Sequence, residues 1–382
     1  MRTVGITAEF DPFHEGHKYL IDSVRSAGAD RVIAVMSGDF TQRGTPALCS
    51  KWERAKAALE GGVDLVIELP AVFACAGASY FAKGASEILA GTEVVDTIAF
   101  GSESGDAEAL VRAAGFLTKC EHVLTVRIAE LSKLGMSYPA AREKAVLEFD
   151  KETDISLISE PNNILAIEYI KAVRKITDNI DFFTVRRSGN AHAVTASKLR
   201  EEARLRSPER FKRADDLFYK ILVWKTLEMS EDDIDQIASA SAGLGRKLKK
   251  EIRNASSLEK LIELVKSKGF TETRVRRLLT QTVLGITKHD MSSCLPYIRV
   301  LAANGTGREL IREITDRADI PVIRNINRER GDKPEHPEIS RTLEIEERAV
   351  DLFLLLNDKD LYADAEFASK PYIWDEIHIV TA

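Results

Sequence analysis

Two histidines three positions apart, His14 and His17, lie in the stretch FDPFHEGHKYL at residues 10–20, between an apolar run and a helical pattern. Imidazoles can bind a metal, fill space or donate hydrogen bonds to an anion. Zinc needs a third ligand, and the H-E-x-x-H helix of the metalloproteases spaces its histidines four apart. No cysteine or further histidine lies near these two. Filling space is a poor use for two histidines in a glycine-containing turn at a strand end. An anion accounts for every residue. A strand delivers the chain to the top of a sheet, Pro12 stiffens the turn, and Gly16 lets the backbone come close. The helix beginning near residue 16 then presents free N–H groups and the positive end of its dipole. Type and spacing together point to a phosphate.

Other residues could share that site. SGDFTQRGTPA, residues 37–47, is long, polar and glycine-bearing, as a loop over a substrate should be. Asp39, Gln42 and Arg43 are its candidates, Arg43 for a carboxylate or phosphate; a solvated connector is the alternative. Cys49 follows in ALCSKW with a lysine beside it and no histidine close in sequence, which argues against a covalent thioester role. The 37–47 loop is then the expected lid over a reactive intermediate. The helical stretch 246–277 holds eleven Lys/Arg against four Asp/Glu, a local +7 in a chain of net charge -6. RVRR, with Arg274, Arg276 and Arg277, is its sharpest part and the candidate contact for nucleic-acid phosphates.

These residues need a frame. TVGITAEF, RVIAVMSG, DLVIELP, VDTIAFGSE and DFFTVRR read as strands, separated by amphipathic helices such as GHKYLIDSVRSAG, which Gly28 ends, and SKWERAKAALEGG with Ser50 as N-cap. Alternating strand and helix predicts an α/β fold, a Rossmann-like parallel sheet with helices on both faces, and ligands bind at the carboxyl ends of its strands. Residues 10–17 and 100–106 fall there. After about residue 205 the pattern turns mainly helical, with a small strand–helix–strand element from YIRVLAANGTGRELIREI to IPVIRNI and a last long helix, SRTLEIEERAVDLFLLL. Two domains are expected: 1–205 for nucleotide chemistry and 206–382 for the helical, basic part.

The 382 residues suffice for a large core, and 44% hydrophobic with 30% charged is the balance of an ordinary globular protein. The negative total excludes a globally basic coat protein. Four dispersed cysteines offer neither a zinc knuckle nor a disulfide framework, and no metal site is expected. With no signal-peptide core and no apolar run near the ~20 residues of a membrane span, the expectation is a cytoplasmic protein without membrane or DNA partners.

G-x-x-x-E-F-D-P-F-H-E-G-H resembles the first signature of the HxGH nucleotidyltransferase superfamily, and VTASKLR, residues 194–200, resembles its second, I-S-S-T-x-x-R. Over nearly the whole chain, AEFDPFHEGHKYL, MSGDFTQRGTPA, GVDLVIELP, FGSESGD, SYPAAR, EPNNILAIEYIKA, TRVRRLLTQTVLGI and YIRVLAANGTGRELI, in that order, resemble the bacterial tRNA(Met) cytidine acetate ligase family. Phe10, Asp11 and Glu15 stand where that family usually has Tyr, Asn and Asn, and LAAN replaces its L-G-F-N.

The resemblance implies that acetate is activated with ATP and Mg²⁺ as acetyl-adenylate, and that the acetyl group passes to N4 of the wobble cytidine, position 34, of elongator tRNA(Met). It implies ATP contacts from Thr7, Ala8, Glu9 and Phe10, through Asp11, Pro12, Phe13, His14, Glu15, Gly16 and His17, to Lys18, Tyr19 and Leu20. Gly101, Asn162, Arg187 and Ser188 join them. Gly101 has its own physical case, since a side chain ending that strand would obstruct the nucleotide, although a plain turn would also use glycine. Asn162 or Asn163 either reads the nucleoside or caps the following helix, and one of Arg186 and Arg187 faces the site. Adenylylation needs positioning and charge stabilisation. His14, His17 and Arg200 are expected to stabilise the transition state, Lys198 and Arg200 to take the outer phosphates, and Ser197 to cap its helix. Two alternatives stand: an adenylyltransferase making a dinucleotide or coenzyme precursor from a small acceptor, and an RNA-binding protein with a decayed nucleotide site.

Overall fold

Every residue of RVIAVMS, 31–37, is buried. A strand buried on both faces lies inside a parallel sheet covered by helices, and the core divides accordingly. Val32, Ala34 and Met36 pack to one side with Val4, Ile6, Ile21, Val24 and Leu59, while Ile33 and Val35 pack to the other with Ile67, Leu89, Ile98 and Ile167. Each such aliphatic side chain contributes ~1.5–3 kcal/mol by leaving water.

The computed structural model describes all residues except 152–153, 188–194, 268, 324, 330–333, 360–365, 367–369 and 375–382. The first half runs β1 (Thr3–Ala8), α1 (Glu15–Ser26), β2 (Arg31–Ser37), α2 (Lys51–Glu60), β3 (Leu65–Leu69), α3 (Ala71–Ala74), α4 (Ala78–Gly91) and β4 (Thr97–Ser102). Helices α5 (Ala107–Lys119), α6 (Glu121–Lys133), α7 (Tyr138–Phe149) and α8 (Ile155–Ser159) precede α9 (Pro161–Arg174) and β5 (Asp181–Arg186). Then come α10 (Ala196–Arg206), α11 (Pro208–Glu228), α12 (Glu231–Gln236), α13 (Leu244–Glu251), α14 (Leu258–Val265), α15 (Glu272–Leu284) and α16 (Asp290–Ser293). The chain closes with β6 (Ile298–Ala303), α17 (Gly305–Arg317), β7 (Val322–Ile323), α18 (Ser340–Leu356) and β8 (Tyr372–Ile373).

The sheet order is β5-β4-β1-β2-β3-β6-β7, with β8 also paired to β6. The strands β1 to β5 are mutually parallel. Chain order reverses between β1 and β4, and that switch point opens the crevice at the carboxyl ends where a nucleotide binds. The expected Ser50 cap is present: its hydroxyl accepts from Glu53 N, and the Glu53 carboxylate returns the bond to Ser50 N.

The expected strand–helix–strand element exists as β6–α17–β7, but the sheet crosses the 205/206 boundary. β6 lies antiparallel beside β3, with Leu65 opposite Ala303. A buried ion cluster fastens the same seam. Lys51 Nζ meets Glu68 at 2.5 Å, Glu366 at 2.6 Å and Glu346 at 3.1 Å, and Arg299 bonds both Glu68 and Glu366. Burial alone would raise the Glu68 carboxyl, but Lys51 and Arg299 outweigh it and hold it low. Burial and then Glu68 push Glu346 up to about 8. These three carboxylates stand close enough to suggest a metal, yet Lys51 and Arg299 already supply the positive charge. Among the described residues no helix is long and apolar enough to cross a membrane.

Candidate active site

Two strand ends and two helix starts build the site. β1 ends at Ala8 and the chain turns through Phe10, whose φ of 46° is in the left-handed region. That conformation costs a side-chain-bearing residue ~1–2 kcal/mol. Burial supports it: Phe10 is fully enclosed, with its ring 5.2 Å from Phe13 and edge-on to His17 at 4.9 Å. Phe13 also fills the space over Gly61, where a Cβ would sit 2.1 Å from the ring.

The two histidines cap α1 themselves. His14 Nδ1 accepts from Gly16 N at 3.0 Å, and His17 Nδ1 accepts from His14 N at 3.3 Å, a reciprocal capping box. The helix therefore does not offer Gly16 N–H to a ligand, as the sequence suggested. Because each Nδ1 is an acceptor, the ring proton sits on Nε2. Burial, then Arg187 and Arg200, lowers the His14 pKa; burial, His14 and Arg187 lower that of His17 to about 3. Both rings are neutral Nε2–H donors at neutral pH, stacked 3.9 Å apart. Gly16 is required because a Cβ there would meet the His14 ring at 2.8 Å.

Cations rim these donors. Arg200, on α10, donates to Asp11 O at 2.6 Å and to Ser197 Oγ at 3.1 Å, and Arg43 reaches the same hydroxyl at 3.5 Å. Arg187 follows β5 and donates to Asn162 Oδ1 at 2.6 Å. It also passes over Gly101, where a Cβ would lie 3.2 Å from its Cγ. Arg187 is thus the arginine on the site side. Of the two asparagines, Asn163 is the structural one: fully buried, its Oδ1 accepts from Glu103 N and Ser104 N. Asn162 stays at the rim, held by Glu103 Oε1 at 2.5 Å. The start of α10 is capped by Thr195, whose hydroxyl accepts from Lys198 N, so Ser197 is not the cap. Lys198 is exposed in that first turn. Ser188 lies outside the described residues.

The remaining motif residues spread outward. Glu15, Gly16 and Tyr19 are exposed, Lys18 pairs with Asp22 down the helix, and Leu20 joins the core beside Ala8. Thr7 lies one residue before the end of the strand beneath, and the Asp11–Pro12 bond is cis. Asp11 is buried and accepts from Leu48 N at 2.7 Å. Glu9, its carboxyl raised chiefly by burial, accepts from Gln42 N at 2.6 Å.

The 37–47 segment is not a free lid. Asp39 is buried, accepts from Lys51 N at 2.8 Å and faces α2 rather than a substrate. Phe40 is fully enclosed, and Gly44, at φ 73°, packs so tightly on α15 that a Cβ would lie 2.4 Å from Arg277 N. Arg277 donates to Gln42 O at 3.2 Å and Thr280 to Gly44 O at 2.9 Å. Arg43 remains exposed, and Gln42 Nε2 is buried without a partner among the described residues.

The arginines expected to contact phosphates are engaged within the fold. Arg277 is turned inward, Arg276 pairs with Glu272 at 3.0 Å, and Arg274 lies over the Phe270 ring and bonds Ser241. One residue with a clear role gave no signal in the sequence. Arg54 is buried beneath the site and donates to Glu9 O, Ser37 O, Gly38 O and Cys49 O. It clamps the carboxyl ends of β1 and β2; only its place one turn into a capped helix could have marked it.

Comparison with known proteins agrees with this geometry. The profile of the family described as HIGH Nucleotidyl Transferase matches residues 1–208 and again 193–366. The tRNA(Met) cytidine acetate ligase of Acetivibrio thermocellus is 34% identical, with 93% of this chain and 95% of that protein covered. That of Clostridium perfringens is 32% identical over 94% and 96%. The crystal structure of Thermotoga maritima TmcAL bound with alpha-thio ATP superposes with a TM-score of 0.87 at 30% identity, covering 98% of this chain and all of that one.

Proposed function

The chain belongs to the tRNA(Met) cytidine acetate ligases of the HIGH nucleotidyltransferase family, and we propose that it activates acetate with ATP and acetylates N4 of the wobble cytidine, position 34, of elongator tRNA(Met). An acetate oxygen attacks the α-phosphorus of ATP, the P–O bond to pyrophosphate breaks, and acetyl-adenylate forms. The cytidine N4 then attacks the acetyl carbon. The C–N bond forms, AMP leaves with the bridging oxygen, and N4 loses one proton.

The observation that carries this is the pair of neutral imidazoles, each presenting Nε2–H, set among Arg43, Arg187 and Arg200. Neutral donors beside fixed cations stabilise a spread-out phosphoryl charge without moving a proton. His14 and His17 hold the α-phosphate and the leaving group, and Lys198 and Arg200 take the outer phosphates. Asn162 and Arg187 border the nucleoside beside Gly101. Gln42 Nε2, buried with no partner among the described residues, and Arg43 receive the acetate carboxylate. The groups facing the phosphates are donors, which fits an anion; Mg²⁺ would be held by the triphosphate and water, where it offsets charge. The Cys49 thiol, pushed up by burial, is a poor nucleophile, consistent with a bound adenylate and no acyl-enzyme. Residues 1–205 carry the adenylylating site, and the helices of 206–382 meet the RNA.

Incubating the protein with ATP, Mg²⁺ and labelled acetate, with and without bulk tRNA, tests this when adenylate, pyrophosphate and labelled RNA are followed separately. Acetate-dependent pyrophosphate exchange without RNA and label in tRNA with it are expected. Adenylyl transfer to a small acceptor, or RNA binding without exchange, would overturn the proposal.

A further inference from the structure

An RNA substrate must be gripped somewhere, and most of the basic run 246–277 is already engaged. Arg246 pairs with Asp235, Lys260 with Glu263, and Lys266 and Arg276 share Glu272. Lys247 donates to Lys266 O, and Lys249 donates to Thr226 O and Met229 O at the end of α11. Arg274 lies over the Phe270 ring and bonds Ser241, and Arg277 turns inward to Gln42 O. Among the described residues of that run, Lys250 and Arg253 alone are exposed cations without a partner.

The segment that carries both is tied to α11. Lys249 holds the carboxyl end of that helix, and the Tyr219 hydroxyl donates to Ala255 O at 2.7 Å, two residues beyond Arg253. On α11 the Trp224 indole is 67% exposed. Lys220 stands one turn before it on the same face, Lys225 follows it, and Lys212 lies two turns further back; all three are exposed and, among the described residues, unpaired. Against these five cations α11 also exposes the carboxylates of Asp216 and Glu228, unpaired among the described residues.

We propose that Trp224, with Lys220, Lys225, Lys250 and Arg253, is the surface on which the RNA docks, the indole stacking on an unpaired base and the cations meeting neighbouring phosphates. The assignment rests on the reading of the chain as an RNA-acetylating ligase. An exposed indole with Lys220 one turn before it and Lys225 beside it offers what single-stranded nucleic acid uses: a flat face beside point charges. The reach is suitable. Arg210 contacts Leu48 O, whose amide is held by Asp11 at the catalytic edge, and the fourteen residues from Arg210 to Trp224 span about 21 Å of helix. An RNA loop with one base in the site can place another nucleotide there.

The test measures tRNA affinity across a salt series for the wild type, Trp224→Ala, Trp224→Phe and the double variant Lys220→Glu/Lys225→Glu, with acetate-dependent pyrophosphate exchange in the absence of RNA as the control. Trp224→Ala should weaken binding about tenfold or more and Trp224→Phe far less. The double charge reversal should lower the slope of log affinity against log salt by about 1.4. Exchange should stay at the wild-type level in every variant. Affinity of Trp224→Ala within twofold of wild type would overturn the proposal and leave the face to a protein partner. Absence of exchange in the wild type would refute the ligase reading instead.

Discussion

Arg54→Lys is the sharpest test of how the site is held. The guanidinium is 1% exposed and donates to four backbone carbonyls: Glu9 O at 2.6 Å, Ser37 O and Cys49 O at 3.1 Å, and Gly38 O at 2.5 Å. Lysine keeps the charge but lacks the planar fork, and one ammonium can satisfy about two of those acceptors. Two buried carbonyls left unpaired cost ~1–3 kcal/mol each, so a loss of ~2–6 kcal/mol is expected. The functional loss should exceed what stability alone explains. Glu9 O lies five residues before His14, and a displacement near 1 Å at reacting groups costs on the order of 100-fold in rate. Chemical unfolding followed by circular dichroism gives the first number. Acetate-dependent pyrophosphate exchange, at a temperature where the variant is folded, gives the second. Stability within ~1 kcal/mol of wild type together with unchanged exchange would refute the clamp.

Three further outcomes follow from the geometry. His14→Asn retains a side-chain acceptor for the cap of α1 and loses the Nε2 donor, so thermal unfolding should shift little while exchange falls by ~100-fold; a large loss of stability with exchange intact would mean that the imidazole serves only the helix. Burial raises the Glu346 pKa to about 8 in the fold, so its contribution to stability is complete below the ordinary carboxylate value of 4.5 and is lost as pH rises through about 8. Glu346→Gln should therefore flatten the fall in stability between pH 5 and 8, and an unchanged pH profile would contradict the assignment. Arg277→Glu should lower both exchange and RNA acetylation by releasing Gln42 O and the 37–47 segment, whereas Arg276→Glu, at a surface pair, should change stability by no more than ~1 kcal/mol; selective loss of RNA binding in Arg277→Glu would restore that residue to the phosphate contacts.

The sequence by itself determined what is local. Strand and helix placement from residue 3 to 186, the Ser50 cap and the glycine-bearing histidine turn at 10–17 all depend on neighbours within a few positions, where period, caps and glycines are written directly. It also marked Gly101 and the Arg186–Arg187 pair, because the first lies at the end of a strand and the second ends and follows one, at the one edge where such sheets bind ligands; Asn162, in the first turn of α9, came from the family resemblance. Only the tertiary structure decided the fate of charges and of the far strands. Whether Arg277 meets solvent or Gln42 O depends on a helix packing across 235 residues of chain. The pairing of β6 beside β3, the Lys51 cluster with Glu346 and Glu366, and the pinned 37–47 segment depend on contacts equally remote. A basic run reads the same whether its side chains face water or a neighbour's carbonyls, since charge pattern carries no information about the surface that arrives opposite it. Burial and pairing are properties of two surfaces, and the sequence around one residue describes only its own.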